Sequence, residues 1–400
     1  MNYLLWFFIS CAIIASGCGY IGWRIIHASD LEAPWKFAAW VSLAAIALLI
    51  PFSFFLQINR IVVPGGAILT WISSIGMGFF SLLLTIVLMR DLAWILAALV
   101  ERTAGLAAAL FGYDAGTLVP ADPERRRLLI RSMSIGLVVA AGGLTAYGFF
   151  EARRRPRLVN VSVPLPALHP DLQGIRILQI TDIHAGITVG RDFVQSIVAQ
   201  ANEQSPDIIV FTGDLVDGTV ERLRDIVAPM KDLSAPLGKF FITGNHEYYS
   251  GAEPWVKEAA RLGFIVLLNE HRIVRRGAGS LLMAGVTDYS GGQFLRNHAS
   301  DPAKAFAGAP ACDARILLAH QPKSLRAALP HGFDLQISGH THGGQFFPWN
   351  LLAAVDQPYI SGLHRHENSW IYVSRGTGYW GPPIRIAARS EITLFTLRSG

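Results

Sequence analysis

Cysteine is nearly missing: the chain has three in 400 residues, Cys11, Cys18 and Cys312. The first two sit in an apolar stretch, so the second half holds a single thiol. An internal disulfide and a finger-type zinc–thiolate site are thereby excluded there. Charge is also thin. Asp, Glu, Lys and Arg make up 16% of the chain, against roughly a quarter in an average soluble domain. The formal net charge of +5 is modest, its arginines flank apolar segments, and no RNA- or DNA-binding motif is present. That pattern indicates contact with a membrane bilayer and no nucleic-acid partner.

Hydrophobic residues make up 52% of the chain and crowd into its first 150 positions. Four runs there, 3–23, 35–56, 67–89 and 132–150, carry almost no charge. Each has about the 20 residues that a bilayer span requires. A cleaved signal peptide would account for the first run alone. The segment 92–112 is apolar too, but Glu101 and Arg102 would sit in mid-bilayer if it spanned, which is costly. It reads as a helix continuing out of the membrane or lying along its surface. Residues 1–156 are therefore expected to be a transmembrane helical region with a linker, and 157–400 a separate globular domain.

Within the second half one theme repeats. A short apolar run ends in a polar cluster punctuated by glycine: "IRILQI" then "TDIHAG", "DIIVF" then "TGDLVDG", "GKFFI" then "TGNHEYY", "RILLA" then "HQP", "LQI" then "SGHTHGG". Helix-like stretches lie between them, which predicts a layered α/β domain. Polar residues beyond strand ends are where such sheets bind ligands. Asp182 and His184 are two apart, so extended backbone would aim both to one side, and His340 and His342 repeat that spacing. Asp214, Asn245 and His320 each follow their own strand. Carboxylate, imidazole and amide oxygen suit Mn, Fe, Zn or Mg ions, with manganese the first choice. One shared carboxylate lets these seven residues hold two divalent ions, an arrangement suited to phosphoryl transfer.

Asp182-x-His184, Gly213-Asp214-x-x-Asp217, Gly244-Asn245-His246-Glu247, His320 and Gly339-His340-x-His342 together resemble the five-block signature of the calcineurin-like metallophosphoesterases. The resemblance covers about residues 170 to 395. It implies a four-layer α/β/β/α sandwich preceded by the all-α transmembrane region. It implies one ion held by Asp182, His184, Asp214 and His342. The second would be held by Asp214, Asn245, His320 and His340, with Asp214 bridging. His246 would be a non-ligand that protonates the leaving oxygen or steadies the phosphate. Asp214 and His246 are thus the expected catalytic pair in hydrolysis by a metal-bridging hydroxide.

"GHTHGGQ" and "SRGTGYWGPPIRIAARSEITLFTL" further resemble the bacterial membrane-associated branch of that family. Arg125, Arg126 and Arg127, followed by Leu128 and Leu129, resemble a twin-arginine export signal. Arg153, Arg154 and Arg155 oppose that orientation. The expected location is a bacterial inner membrane, multi-pass, with the catalytic domain on the extracytoplasmic side. The expected activity is phosphodiester hydrolysis of a lipid- or envelope-linked phosphoester. Two alternatives are a UDP-2,3-diacylglucosamine pyrophosphate hydrolase and a catalytically inactive binding or sensing module.

Other residues carry less specific expectations. Asp217 and Glu247 either orient the site or are solvated carboxylates. His364 and His366 are expected in an exposed loop, the alternative being a lip of the pocket. Tyr248, Tyr249, Trp255, Trp349, Tyr379 and Trp380 line a substrate groove, touch the membrane interface, or belong to the core. Arg375 and Arg385 grip phosphate or pair with surface carboxylates.

Overall fold

The computed structural model describes residues 3–29, 31–59, 61, 63–110, 123–166 and 168–400. It divides into two compact units, Met1–Phe149 and Phe150–Gly400.

The first unit is helical. Helix α1 (Tyr3–Ile21) runs into a π-helical turn, Gly22–His27, and is followed by α2 (Ala33–Ile58), α3 (Gly66–Leu110) and α4 (Pro123–Arg153). Each of the four helices is long and apolar enough to cross a membrane. Cys18, Ile21, Leu43, Phe80, Leu83, Val87 and Ala141 form their shared core. The described part of the segment 92–112 continues α3 without a break, and residues 111–112 lie outside the described residues. At 45 residues α3 is about 67 Å long, roughly twice the hydrocarbon thickness of a bilayer. Asp91 marks the change along it. Arg24 donates to Asp91 through Nε and Nη2 at 2.6 Å, and Arg90 through Nε at 2.8 Å. Before Asp91 the helix packs against its neighbours, and after it Leu92, Ile95, Leu96, Leu99 and Val100 are exposed.

The second unit holds two six-stranded sheets. Its elements begin with β1 (Arg157–Leu165), β2 (Arg176–Ile180), α5 (Arg191–Glu203), β3 (Ile208–Phe211), α6 (Val220–Val227) and β4 (Lys239–Phe241). They continue with α7 (Asn245–Ser250), α8 (Ala252–Arg261), β5 (Ile265–Val266), β6 (Glu270–Arg276), β7 (Gly279–Gly285) and β8 (Ala314–Leu318). The last strands are β9 (Leu335–Ser338), β10 (Gly362–His366), β11 (Ser369–Val373) and β12 (Glu391–Ser399). Strand order is β1-β12-β2-β3-β4-β5 in one sheet and β10-β11-β9-β8-β7-β6 in the other.

Strand periodicity builds the layers. Ile177, Ile208, Val210 and Phe240 pack against Leu281, Met283, Ile316 and Ile337 of the other sheet. Their neighbours Leu178, Ile180, Ile209, Phe211 and Phe241 face the opposite way, onto Val194 and Ile197 of α5 and Trp255 of α8. On the far side Leu282, Ala284, Leu317 and Ile371 meet Ala305, Phe306 and Leu325 of short helices. Both faces of both sheets are buried, so the strands read as continuous apolar runs. The architecture is the α/β/β/α sandwich.

Trp255 anchors the α8 layer. It is 1% exposed, and its indole N–H donates to the Gly218 carbonyl at 2.8 Å. Trp255→Ala is expected to destabilise this unit by about 3–5 kcal/mol. A fall in the urea midpoint of the detergent-solubilised chain would register it.

Candidate metal centre

Five strands deliver the polar residues to one edge. β2, β3 and β4 are mutually parallel, as are β8 and β9. Asp182 and His184 follow β2, Asp214 follows β3, Asn245 opens α7 after β4, His320 follows β8, and His340 and His342 follow β9. The expected extended geometry is not what aims them. Asp182, His184, Asp214, His340 and His342 have φ of 53°, 53°, 57°, 73° and 52°. Each lies in the left-handed region, so the backbone reverses locally at every one. Asp182 and His184 still converge. His340 and His342 separate, and their shared-face expectation is corrected: with left-handed φ at both, a spacing of two no longer fixes a shared face.

The side chains gather in two groups, buried except for the partly exposed His340. Asp182, His184 and His342 form one, and Asp214, His320 and His340 the other, with potential ligand atoms within 4.8 Å in each. Asp214 links them: its Oδ2 is 3.1 Å from His320 Nε2 and 3.7 Å from His184 Nε2. Asn245 Oδ1 is 3.2 Å from His320 Nε2. His184 Nε2 and His342 Nε2 are 3.0 Å apart. Several imidazole nitrogens and carboxylate oxygens aimed at two common points, away from water, match the donor chemistry of a pair of divalent ions. Burial pushes Asp214 up, but the imidazoles of His320 and His246 outweigh it and hold the carboxyl well below its ordinary value.

Asp217 and Glu247 both touch this centre. Asp217 Oδ1 accepts from His184 Nδ1 at 3.1 Å and from His246 Nδ1 at 2.5 Å, orienting both rings. Burial lowers His246, but Asp217 and Asp214 outweigh it and raise the imidazole to about 9. Glu247 is buried and accepts N–H bonds from Gly244, Asp214 and Leu215 at 2.7, 2.9 and 2.8 Å. It thereby ties the Asp214 turn to α7.

Glycines permit the close approach. A Cβ on Gly339 would lie 2.2 Å from Asp182 Oδ2, and one on Gly244 would lie 2.2 Å from Asp214 Oδ1. Gly339→Ala is expected to displace the Asp182 carboxylate and cut turnover roughly 100-fold. Metal analysis beside a steady-state assay would show both losses.

Several placements differ from the sequence expectations. Arg385 pairs with no surface carboxylate among the described residues. It is fully buried and donates to the carbonyls of Gly378 and Ala388 at 2.6 and 2.7 Å. Its Nη2 is also 2.9 Å from His342 Nδ1, so it packs behind that imidazole. Its signal in sequence was only the proline- and glycine-rich setting. Arg375 is half-buried and lies beside Gly343. His364 and His366 are on strand β10, not in a loop. His364 Nε2 bonds the Ser361 carbonyl at 2.8 Å, and His366 Nδ1 bonds Tyr359 at 3.0 Å. The aromatics divide: Tyr248, Trp255 and Tyr379 are buried, whereas Tyr249, Trp349 and Trp380 are exposed. Asp288 carried no sequence signal. It is buried; its carboxylate accepts from Gln321 Nε2 at 3.0 Å and its backbone N–H donates to Thr243 Oγ1 at 3.2 Å, joining two site loops.

The Calcineurin-like phosphoesterase family profile matches residues 175–344. A Danio rerio transmembrane protein with metallophosphoesterase domain is 39% identical over 68% of this chain and 67% of its own length. An uncharacterized metallophosphoesterase of Helicobacter pylori is 38% identical over 69% of this chain and 73% of its own length. The chain belongs to the calcineurin-like metallophosphoesterase family. A Bacillus subtilis metallophosphoesterase, also uncharacterized, is 30% identical over 68% of this chain and 98% of its own length. As a calcineurin-like metallophosphoesterase it is a metal-dependent phosphoric ester hydrolase of a dimetal-dependent family. Its apolar helices associate it with a membrane.

Proposed function

We propose that the chain is a phosphodiesterase acting on a lipid- or envelope-linked phosphoester at a bacterial inner membrane. Asp182, His184, Asp214 and His342 would hold one ion, and Asp214, Asn245, His320 and His340 the other. When bound, such a pair supplies Lewis-acid polarisation of the phosphoryl group and lowers the pKa of water. His246 has its Nδ1 engaged by Asp217. Its Nε2 is thereby the nitrogen that would give a proton to the leaving oxygen.

The observation that carries this reading is the convergence of the two groups on Asp214. A lipid substrate is supported by the stretch that follows the His342 turn. Phe347, Trp349, Leu351, Leu352 and Val355 are exposed there, and the helix Trp349–Asp356 buries none of its residues.

The test strips the detergent-solubilised chain of metal and assays bis-p-nitrophenyl phosphate with and without Mn²⁺. Manganese-dependent turnover is the expected result. Absence of turnover with Mn, Fe, Zn or Mg, in folded protein that binds two ions, would remove the phosphodiesterase reading in favour of a nucleotide-linked pyrophosphate substrate or a binding role. We also propose a multi-pass topology with the catalytic domain outside the cytoplasm, on the strength of Arg125, Arg126 and Arg127. A reporter fused after Gly400 and active only outside the cytoplasm should be active; silence would place the domain inside.

A further inference from the structure

We propose that Tyr249 and Trp380 form the leaving-group subsite and select a leaving group with an extended nonpolar face. This rests on the reading above, in which His246 faces the leaving oxygen.

Both rings pack against that one imidazole. Tyr249 lies 5.0 Å from the His246 ring centroid at 66°, and Trp380 lies 5.6 Å away at 73°. They come from separate parts of the unit, Tyr249 from α7 and Trp380 from the segment between β11 and β12. Their sequence neighbours show that burial was available nearby. Tyr248 is 7% exposed where Tyr249 is 53%, and Tyr379 is 3% exposed where Trp380 is 47%. In each pair the second ring is held out beside the site.

The mounting of Trp380 is rigid. Its backbone N–H donates to Gln345 Oε1 at 2.8 Å, and Gln345 Nε2 donates back to the Trp380 carbonyl at 2.9 Å. Gln345 is buried and caps the turn that carries His342. Tyr249 is backed by Phe294 at 5.5 Å and 62°. Two supported aromatic rings at the leaving-group side offer area and polarisable faces to a ring or a chain. To the ester of a small polar alcohol they offer little. Leaving them exposed keeps apolar surface in water that such a ligand would cover.

The experiment uses the manganese-loaded full chain in nanodiscs and measures binding of methyl-, n-butyl- and phenylphosphonate by calorimetry. Phenyl- or butylphosphonate is expected to bind at least about tenfold tighter than methylphosphonate, about 1.4 kcal/mol. The preferred one distinguishes a ring from a chain. Trp380→Ala and Tyr249→Ala should each bring the ratio to within about threefold, and Trp380→Phe should restore most of it. A ratio is insensitive to a uniform loss of metal, which lowers all three affinities together. Equal binding of the three by the unaltered chain, or an unchanged ratio in both alanine variants, overturns the inference. Binding of none by a chain shown to hold its metal overturns this inference, whereas the phosphodiesterase reading stands or falls separately, on turnover of bis-p-nitrophenyl phosphate by the same sample.

Discussion

Asp214→Asn should abolish turnover and strip metal together. The substitution keeps shape and volume, and the amide oxygen can still accept the His246 N–H that Asp214 Oδ1 receives at 2.8 Å. What disappears is the negative charge between His320 and His184. Lewis-acid stabilisation by bound ions is worth several kcal/mol. At about 1.36 kcal/mol per factor of ten, its loss lowers kcat by about a thousandfold or more. Metal analysis of the purified variant should show depletion from both groups, because Asp214 serves both. A variant with full metal content and near-normal turnover would remove Asp214 from its bridging role.

His246→Ala should behave differently. It should lose roughly 10²- to 10⁴-fold in turnover, the range for a positioned general acid, with metal content unchanged. The loss should also depend on the leaving group. p-Nitrophenolate departs without needing a proton, so its diester should suffer least, and an alkyl diester most. Equal losses for both esters would assign His246 to holding the phosphate. Metal depletion matching that of Asp214→Asn would make it a ligand.

The layered fold was readable because both faces of both sheets are buried. Runs such as "IRILQI" and "DIIVF" are mostly apolar on both faces, and their ends are flagged by glycine and polar residues. Strand β10, "GLHRH", was not readable. It is an edge strand whose residues stay half-exposed or exposed, so its polarity matches that of a loop. The ligand residues could be named from their clusters, but not their backbone. Spacing of two predicts a shared face only in extended chain, and left-handed φ at His340 and His342 sends them to different groups. Arg385 was unreadable for another reason. Arginine is almost never fully buried unless paired, and here the backbone carbonyls of Gly378 and Ala388 do the pairing, which no side-chain pattern announces. The same limit applied to the aromatics, since Tyr248 and Tyr249 are chemically alike and only tertiary packing separates them.

The left-handed φ of Asp182, His184, Asp214, His340 and His342 bears on the lifetime of the protein. A non-glycine residue in that region costs of order 1–3 kcal/mol. Five of them amount to a sizeable part of the roughly 5–15 kcal/mol that holds a domain folded. Ions held by the native state alone, as proposed above, would offset that cost. The unloaded domain is therefore the more fragile species, the first to be unfolded and degraded. In a cell short of metal, the amount of protein would fall along with its activity, and abundance would report ion supply.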